Sequence, residues 1–338
     1  MSVNHTIAVS VIIATHNRAS RLRETLTSLL AQKTPDGLGW EVVVVDNGST
    51  DDTLEVFRTM AMQAPGRLRY VSEPRLGKSR ALNAGLKVAR GAVVALTDDD
   101  VSPADDWVAA TATVLEKWGA DGAGGRILPQ WEAEPPAWLL ANRRLLDLLG
   151  IMDFDGSARL PIAAGGHPQV WGGNMVWRRS ALVALGGFDV ALGPVGGRRY
   201  CGEDSDIVQR MLEAGRPVVY DPDLVVFHRV PRVRLTRAYF RRAMWDMGEG
   251  QALTAADPPP PPTVAGVPRW RYRYVAGQVG GSLSAVLRRR PDAFDEVLEC
   301  AKAAGMTWGL MKRARRDRRQ RKASELPRPS AAPAMRAR

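Results

Sequence analysis

Four apolar runs rich in β-branched residues punctuate the first hundred residues, each followed by a segment of different periodicity. Ala8–Ala14 is continuous, as in a strand buried on both faces. Glu41–Val45 carries consecutive valines, and Leu68–Val71 and Val93–Leu96 are shorter. Between them the spacing turns helical. Leu22, Leu26, Leu29 and Leu30 share one face of a helix that Ser20 and Glu24 are placed to cap. Thr53–Met62 predicts a second helix, and Ser79–Ala89 a third, stopped by Gly91. Ser102-Pro103 predicts a fourth, running to about Trp118, because a capping residue precedes a proline at the first helical position. An α/β fold with a doubly wound, mostly parallel sheet and helices on both faces follows from this order.

Ligands of such sheets bind beyond the carboxyl ends of the strands. Here those ends read Thr15-His16-Asn17, Asp46-Asn47-Gly48-Ser49 and Thr97-Asp98-Asp99-Asp100. Three adjacent carboxylates repel one another unless something cationic sits among them. Asp98 and Asp100 can point to one side and share a hard cation such as Mg²⁺ or Mn²⁺; the alternative is a solvated acidic turn. Asp46 is either an Asx-turn residue or an acceptor for a nucleobase or ribose. Lys78 and Arg80, after Gly77, suit a diphosphate at a helix N-terminus or form an ordinary solvated first turn. Glu203-Asp204-Ser205-Asp206 opens a helix, where acidic residues match the dipole; a general base at a cleft edge is the chemical alternative. His228 ends an apolar strand and is either structural or a third metal ligand. Trp131, Trp138, Trp171 and Trp177 belong to the core or stack on sugar rings.

The second half is less regular. Gly122–Leu128, Asn174–Trp177, Val218–Tyr220 and Leu224–His228 read as short strands. Arg143–Leu149, Ser180–Leu185 and Glu203–Ala214 read as helices, with a mobile Gly- and Arg-rich loop at Pro194–Tyr200. The expected organisation is a catalytic domain over 1–250, divided near 120, then a proline-rich linker at 251–268. A helical extension over 269–311 and a basic, disordered tail over 312–338 complete it. The formal charge of +11 suggests nucleic acid until it is located: residues 312–338 hold 11 Lys/Arg and 2 Asp/Glu, so the body is close to neutral. No nucleic-acid partner is therefore expected. The tail is a solvated segment or a contact for anionic lipid headgroups. Cys201 and Cys300 are too few for a disulfide framework, and the first residues lack a signal-peptide pattern. A cytoplasmic protein, peripheral at the inner membrane face if the tail meets lipid, is the expectation.

In order and spacing these segments resemble the family 2 glycosyltransferases, which have the GT-A fold. The resemblance runs through Val9–Arg18, Glu41–Asp51, Gly77–Gly85, Leu96–Asp100, Gly172-Gly173-Asn174, Gly186–Asp189, Gly202-Glu203-Asp204 and the strand closing at His228. Tyr70–Asp100 and residues 234–242 look most like bacterial members that build surface polysaccharides. The resemblance implies a Rossmann-like nucleotide-sugar fold and inverting, metal-dependent transfer from a nucleotide-diphosphate sugar to a glycan, lipid-linked or small-molecule hydroxyl acceptor. It implies that Thr15, Asn17 and Asp46 contact the nucleotide, with Arg80 and Asn83 helping to hold it and Lys78 neutralising phosphate. Asp98 faces the ribose, and Asp100, with Asp99 and His228, holds Mn²⁺ or Mg²⁺. Asp204 is the base, with Glu203 beside it; Trp171, Gly172, Gly173 and Asn174 line the sugar and acceptor cleft. Two rivals are weighed against this. A sugar-phosphate nucleotidyltransferase would carry a glycine-rich basic loop after the first strand, where this chain has Thr15-His16-Asn17-Arg18. An inactive glycan-binding scaffold would not need the intact carboxylates.

Overall fold

A computed structural model describes residues 6–154, 170–195, 202–255 and 262–324. The chain forms two compact units, Met1–Phe240 and Arg241–Arg338. The first begins β1 (Ile7–Thr15), α1 (Ala19–Leu30), β2 (Gly39–Asp46), α2 (Thr53–Gln63), β3 (Leu68–Ser72), α3 (Lys78–Val88) and β4 (Val93–Asp98). It continues β5 (Val101–Pro103), α4 (Trp107–Lys117), β6 (Gly122–Trp131), α5 (Ala137–Leu140), α6 (Arg143–Leu148), β7 (Asn174–Arg178), α7 (Arg179–Ala184), α8 (Glu203–Glu213) and β8 (Val218–Val230). The sheet order is β3-β2-β1-β4-β7-β6-β8-β5, and β3, β2, β1 and β4 run parallel.

All eight residues of β2 are buried, because both faces of the sheet are covered. Val42 and Val44 join Val9, Val11 and Ile13 on the face packed by α1, α2 and α4. Val43 and Val45 join Ile12 on the other face, against Ala81 and Leu82 of α3 and Ile207 and Val208 of α8. One strand thus feeds two cores with alternate side chains, which is why its sequence is a continuous apolar run. α3 lies especially close: a Cβ on Gly85 would meet Ile12 Cγ2 at 2.5 Å.

Only Asp99 and Asp100 separate β4 from β5, yet four ladder steps separate those strands in the sheet order. Three Cα steps reach about 11 Å, whereas four flat ladder spacings need about 19 Å. The sheet therefore curls. The register between β6 and β8 shifts after Gly125, where residues 222–224 are extra on β8. Beyond that bulge the two strands bring β5 back to the carboxyl end of β4.

Several local expectations change. Ser102-Pro103 does not start a helix: Val101–Pro103 pairs antiparallel with Val226–His228 at the sheet edge, where proline is tolerated, and the helix begins at Trp107. Ser20 does not cap α1; Ala19 N–H donates instead to Asp51 Oδ2 at 3.0 Å. The two short strands expected between 218 and 228 are one bulged strand, β8. Most of the loop expected at Pro194–Tyr200, the proline run and Cys201 lie outside the described residues.

In the second unit, α9 (Arg237–Thr254, begun in the first) is followed by β9 (Thr263–Val264), β10 (Val267–Pro268), α10 (Arg269–Leu287) and α11 (Ala293–Ser324). α11 continues through the basic run from Lys312 to Lys322, where the sequence suggested a disordered tail. Glycine permits backbone contact here: a Cβ on Gly248 would meet Lys302 O, and one on Gly305 would meet Trp245 O, each at 2.1 Å. Among the described residues no helix is long and apolar enough to cross a membrane.

Candidate active site

The register sets Thr15 beside Asp46 and Ala14 beside Asp98, so β2, β1 and β4 end at one level. A cavity of about 440 Å³ opens there, lined by Thr15, His16, Arg18, Asn47, Lys78, Asp98–Asp100, His228, Arg234 and Tyr239, with Leu148–Gly150 and Pro194. The three consecutive aspartates go three ways. Asp98 Oδ1 meets Lys78 Nζ at 2.6 Å. Asp99, buried, accepts hydrogen bonds from Thr15 Oγ1 and Arg18 Nη1, both at 2.8 Å. Asp100 Oδ2 faces Arg18 Nη1 at 3.1 Å, Arg234 Nη2 at 3.6 Å and His228 Nε2 at 3.7 Å. The β5–β8 pairing makes the last contact, since it sets Val101 opposite His228.

The sequence argument that carboxylates so crowded need a cation holds, with Arg18, Lys78 and Arg234 as the cations. Arg18 and Arg234 were missed. The available signal for Arg18 was its position three residues past the first strand end; Arg234 gave none, because only the curl of the sheet brings it here.

Environment separates the adjacent carboxyls. Burial, with the neighbouring charge of Asp100, pushes Asp99 up to about 6 in spite of Arg18. Burial also acts on Asp100, but His228, Arg18 and Arg234 outweigh it and hold the group well below the ordinary range. Burial lowers Lys78, and Asp98, Glu203 and Asp204 more than offset that, so the ammonium stays charged. Burial, with Asp204 nearby, raises Glu203 to about 7 although Lys78 Nζ lies 3.7 Å away.

Around this cluster the loops are tied together. Asp46 accepts from Ser49 N–H at 2.8 Å and from Tyr70 Oη at 2.6 Å. Asn47, another residue the sequence did not single out, donates to Glu73 O and Arg75 O and accepts from Gly77 N–H at 2.7 Å. It fixes the approach to α3. Asn17, at φ 54°, accepts from Thr50 N–H at 2.7 Å and so ties two loops together.

Opposite Asp98 lie the glycines. Gly172 N–H approaches Asp204 Oδ2 at 3.4 Å, and a Cβ on Gly172 would sit 3.3 Å from Lys78 Nζ. A Cβ on Gly173 would lie 3.5 Å from Asp98 Oδ2. Asp204 is half-buried and, among the described residues, accepts only from the N–H groups of Gly172 and Ser205.

Some expected residues stand elsewhere. Asn174 is fully buried, donating to Arg126 O and Leu224 O and accepting from Trp107 Nε1, so it cannot line the cleft. Asn83 spends both ends of its amide on the backbone of Phe188, at 2.7 and 2.9 Å. Arg80 makes no hydrogen bond or ion pair to any described residue. Trp171 packs against the core, Trp177 lies within it, and Trp138 stacks edge-on to Phe240.

The expected three-ligand metal set is not assembled, because Asp98 is turned to Lys78; among the described residues no three His, Cys, Asp or Glu side chains are grouped for an ion. Asp100 faces His228 Nε2, which Arg234 Nη1 also approaches at 3.3 Å, while Nδ1 on the other edge of the ring is buried without a hydrogen-bond partner among the described residues. One carboxylate and one imidazole fit an ion that takes its remaining ligands from diphosphate and water.

Residues 10–185 match the profile described as Glycosyl transferase family 2. The chain is 26% identical over 256 residues to the succinoglycan biosynthesis protein ExoM of Rhizobium meliloti, covering 75% of this chain and 77% of that one. It is 25% identical over 233 residues to a glucosyl-dolichyl phosphate glucuronosyltransferase of Haloferax volcanii, covering 66% and 69%. Among solved structures, a mannosyltransferase of Pyrobaculum calidifontis in complex with GDP-Man and Mn²⁺ superposes with a TM-score of 0.54 at 23% identity, covering 96% of this chain and 77% of that one. The curled sheet is thus the GT-A fold, and with about half its length matched by the family profile the chain belongs to glycosyl transferase family 2.

Proposed function

We propose that this enzyme moves a sugar, with inversion, from a nucleotide-diphosphate sugar to an acceptor hydroxyl. The observation that carries the reading is the meeting of three strand ends, their carboxylates and three cations in one cavity, with Asp204 across from them. Thr15 and Asp46 border the place of the nucleoside. Lys78, Arg18 and Arg234 supply positive charge for the diphosphate. Asp100 and His228 would hold Mn²⁺ or Mg²⁺, which when bound neutralises charge on the leaving group.

Asp204 is the base. Among the described residues no cation is bonded to it, whereas Glu203 is buried beside Lys78. As the acceptor oxygen bonds to the anomeric carbon, the bond from that carbon to the diphosphate breaks. The acceptor proton passes to a carboxylate oxygen of Asp204. Gly172 and Gly173 leave room for this because neither carries a Cβ. The names of the bacterial and archaeal relatives support a product in polysaccharide or glycoconjugate synthesis and a glycan or lipid-linked acceptor.

Calorimetric titration of UDP, GDP, dTDP and CMP, with and without Mn²⁺, tests the donor side. Metal-dependent binding of one nucleotide is expected. A folded protein that binds none of them would move the reading to a non-catalytic glycan-binding scaffold.

A further inference from the structure

The second unit carries a helix whose surface is apolar and exposed between arginines at its start and arginines just past its end. α10 turns Arg271, Ser282 and Ala285 inward, and the Arg271 guanidinium donates to Thr307 Oγ1 at 3.1 Å and Ala303 O at 3.4 Å on α11. Outside that strip the helix exposes Trp270, Tyr274, Val279, Leu283, Val286 and Leu287, with Leu287 81% accessible, and helical spacing sets Leu283 and Leu287 opposite the buried residues. From Tyr274 to Leu287 there is no charged residue. Gly277 and Gly280 face open space. A helix that turns this much apolar surface outward is ordinarily covered there.

Charge identifies what covers it. Residues 262–291 contain six arginines and no acid. Arg269 and Arg273 flank one end of the apolar face, and Arg288 and Arg289 follow the other, while Arg290 is paired with Asp292. A second copy of this helix, packed in either direction, would set arginine clusters against each other. An anionic bilayer instead pairs with both ends, while Trp270 and Tyr274 suit its headgroup level. The helix is about 28 Å long at 1.5 Å per residue, enough to lie in the interface.

We infer that the outward face of α10 docks this enzyme in the plane of an anionic lipid surface. This goes beyond the tail as a lipid contact: the apolar face does the burying, and arginines on both sides select the surface charge.

Flotation of the full chain with phosphatidylcholine vesicles, with and without phosphatidylglycerol, tests it. Binding to the anionic vesicles, weakened by salt, is expected. Leu283→Glu with Leu287→Glu should lower that binding about tenfold or more, with circular dichroism and nucleotide binding unchanged; both side chains are exposed. Replacing Arg315, Arg316 and Arg318 by Gln should change it far less. The inference is overturned if the full chain ignores anionic vesicles. It is equally overturned if the leucine variant still binds them, or if that variant loses self-association rather than lipid binding. Nucleotide titration of the same samples keeps this outcome separate from the donor reading.

Discussion

The two ends of the central strands both hold buried carboxylates against arginines, and they use them differently. At the amino ends, Glu41 is fully buried. Its Oε1 accepts from Ser10 Oγ at 2.7 Å and Arg90 N–H at 2.9 Å, and its Oε2 accepts from Arg90 Nε at 2.9 Å and Arg69 Nη1 at 3.3 Å. Burial pushes its pKa up, and the bonds from Arg90 and Ser10 bring it below the ordinary value. That cluster is closed. At the carboxyl ends the same chemistry borders a cavity, two carboxyls stand side by side, and His228 Nδ1 has no partner among the described residues. A satisfied cluster holds strands together; a crowded, open one is arranged for a ligand.

This contrast can be broken experimentally. The largest effect should come from Asp204→Asn, which removes proton acceptance and should lower turnover about 10²–10⁴-fold. Nucleotide affinity, read by calorimetry, should stay within about twofold; joint loss of binding would refute the assignment. Next, Glu41→Ala leaves Ser10 and two arginines without their acceptor. It should cost about 2–4 kcal/mol in a denaturant titration, while the folded fraction still binds nucleotide.

Asp100→Ala should show the converse. Mn²⁺-dependent nucleotide affinity of the folded protein should fall at least about tenfold, roughly 1.4 kcal/mol, read by calorimetry. The smallest effect should be in pH. Because Glu41 is depressed in the folded state, its contribution is complete above the unfolded carboxylate value, about 4.3. It is lost as pH falls through the lower folded value. Glu41→Gln should flatten that acid limb of the stability curve, and an unchanged limb would remove Glu41 as its cause.

Much of the first hundred residues was legible because burial on both faces writes strands as uninterrupted apolar runs, and polar residues then mark their ends. The partners of those residues were not. Arg18 meets Asp99 across 81 positions, and His228 meets Asp100 only because β5 pairs with β8. β5 itself was hidden by Ser102-Pro103, a strong local helix signal that edge pairing overrides. Asn83 and Asn174 show a further limit: sequence marks an amide as polar but not whether backbone groups already consume its hydrogen bonds. Asp204 and Glu203 are adjacent acids in the sequence, and only the structure shows that Lys78 approaches Glu203.

The two-residue span from β4 to β5 works as a clasp that closes the curled sheet, and its links are Asp99 and Asp100. Closure and chemistry are therefore inherited together. One inserted residue would turn the next side chain to the opposite face and slacken the clasp in the same event. The link that sets how far the sheet closes is made of two carboxylates that border the cavity.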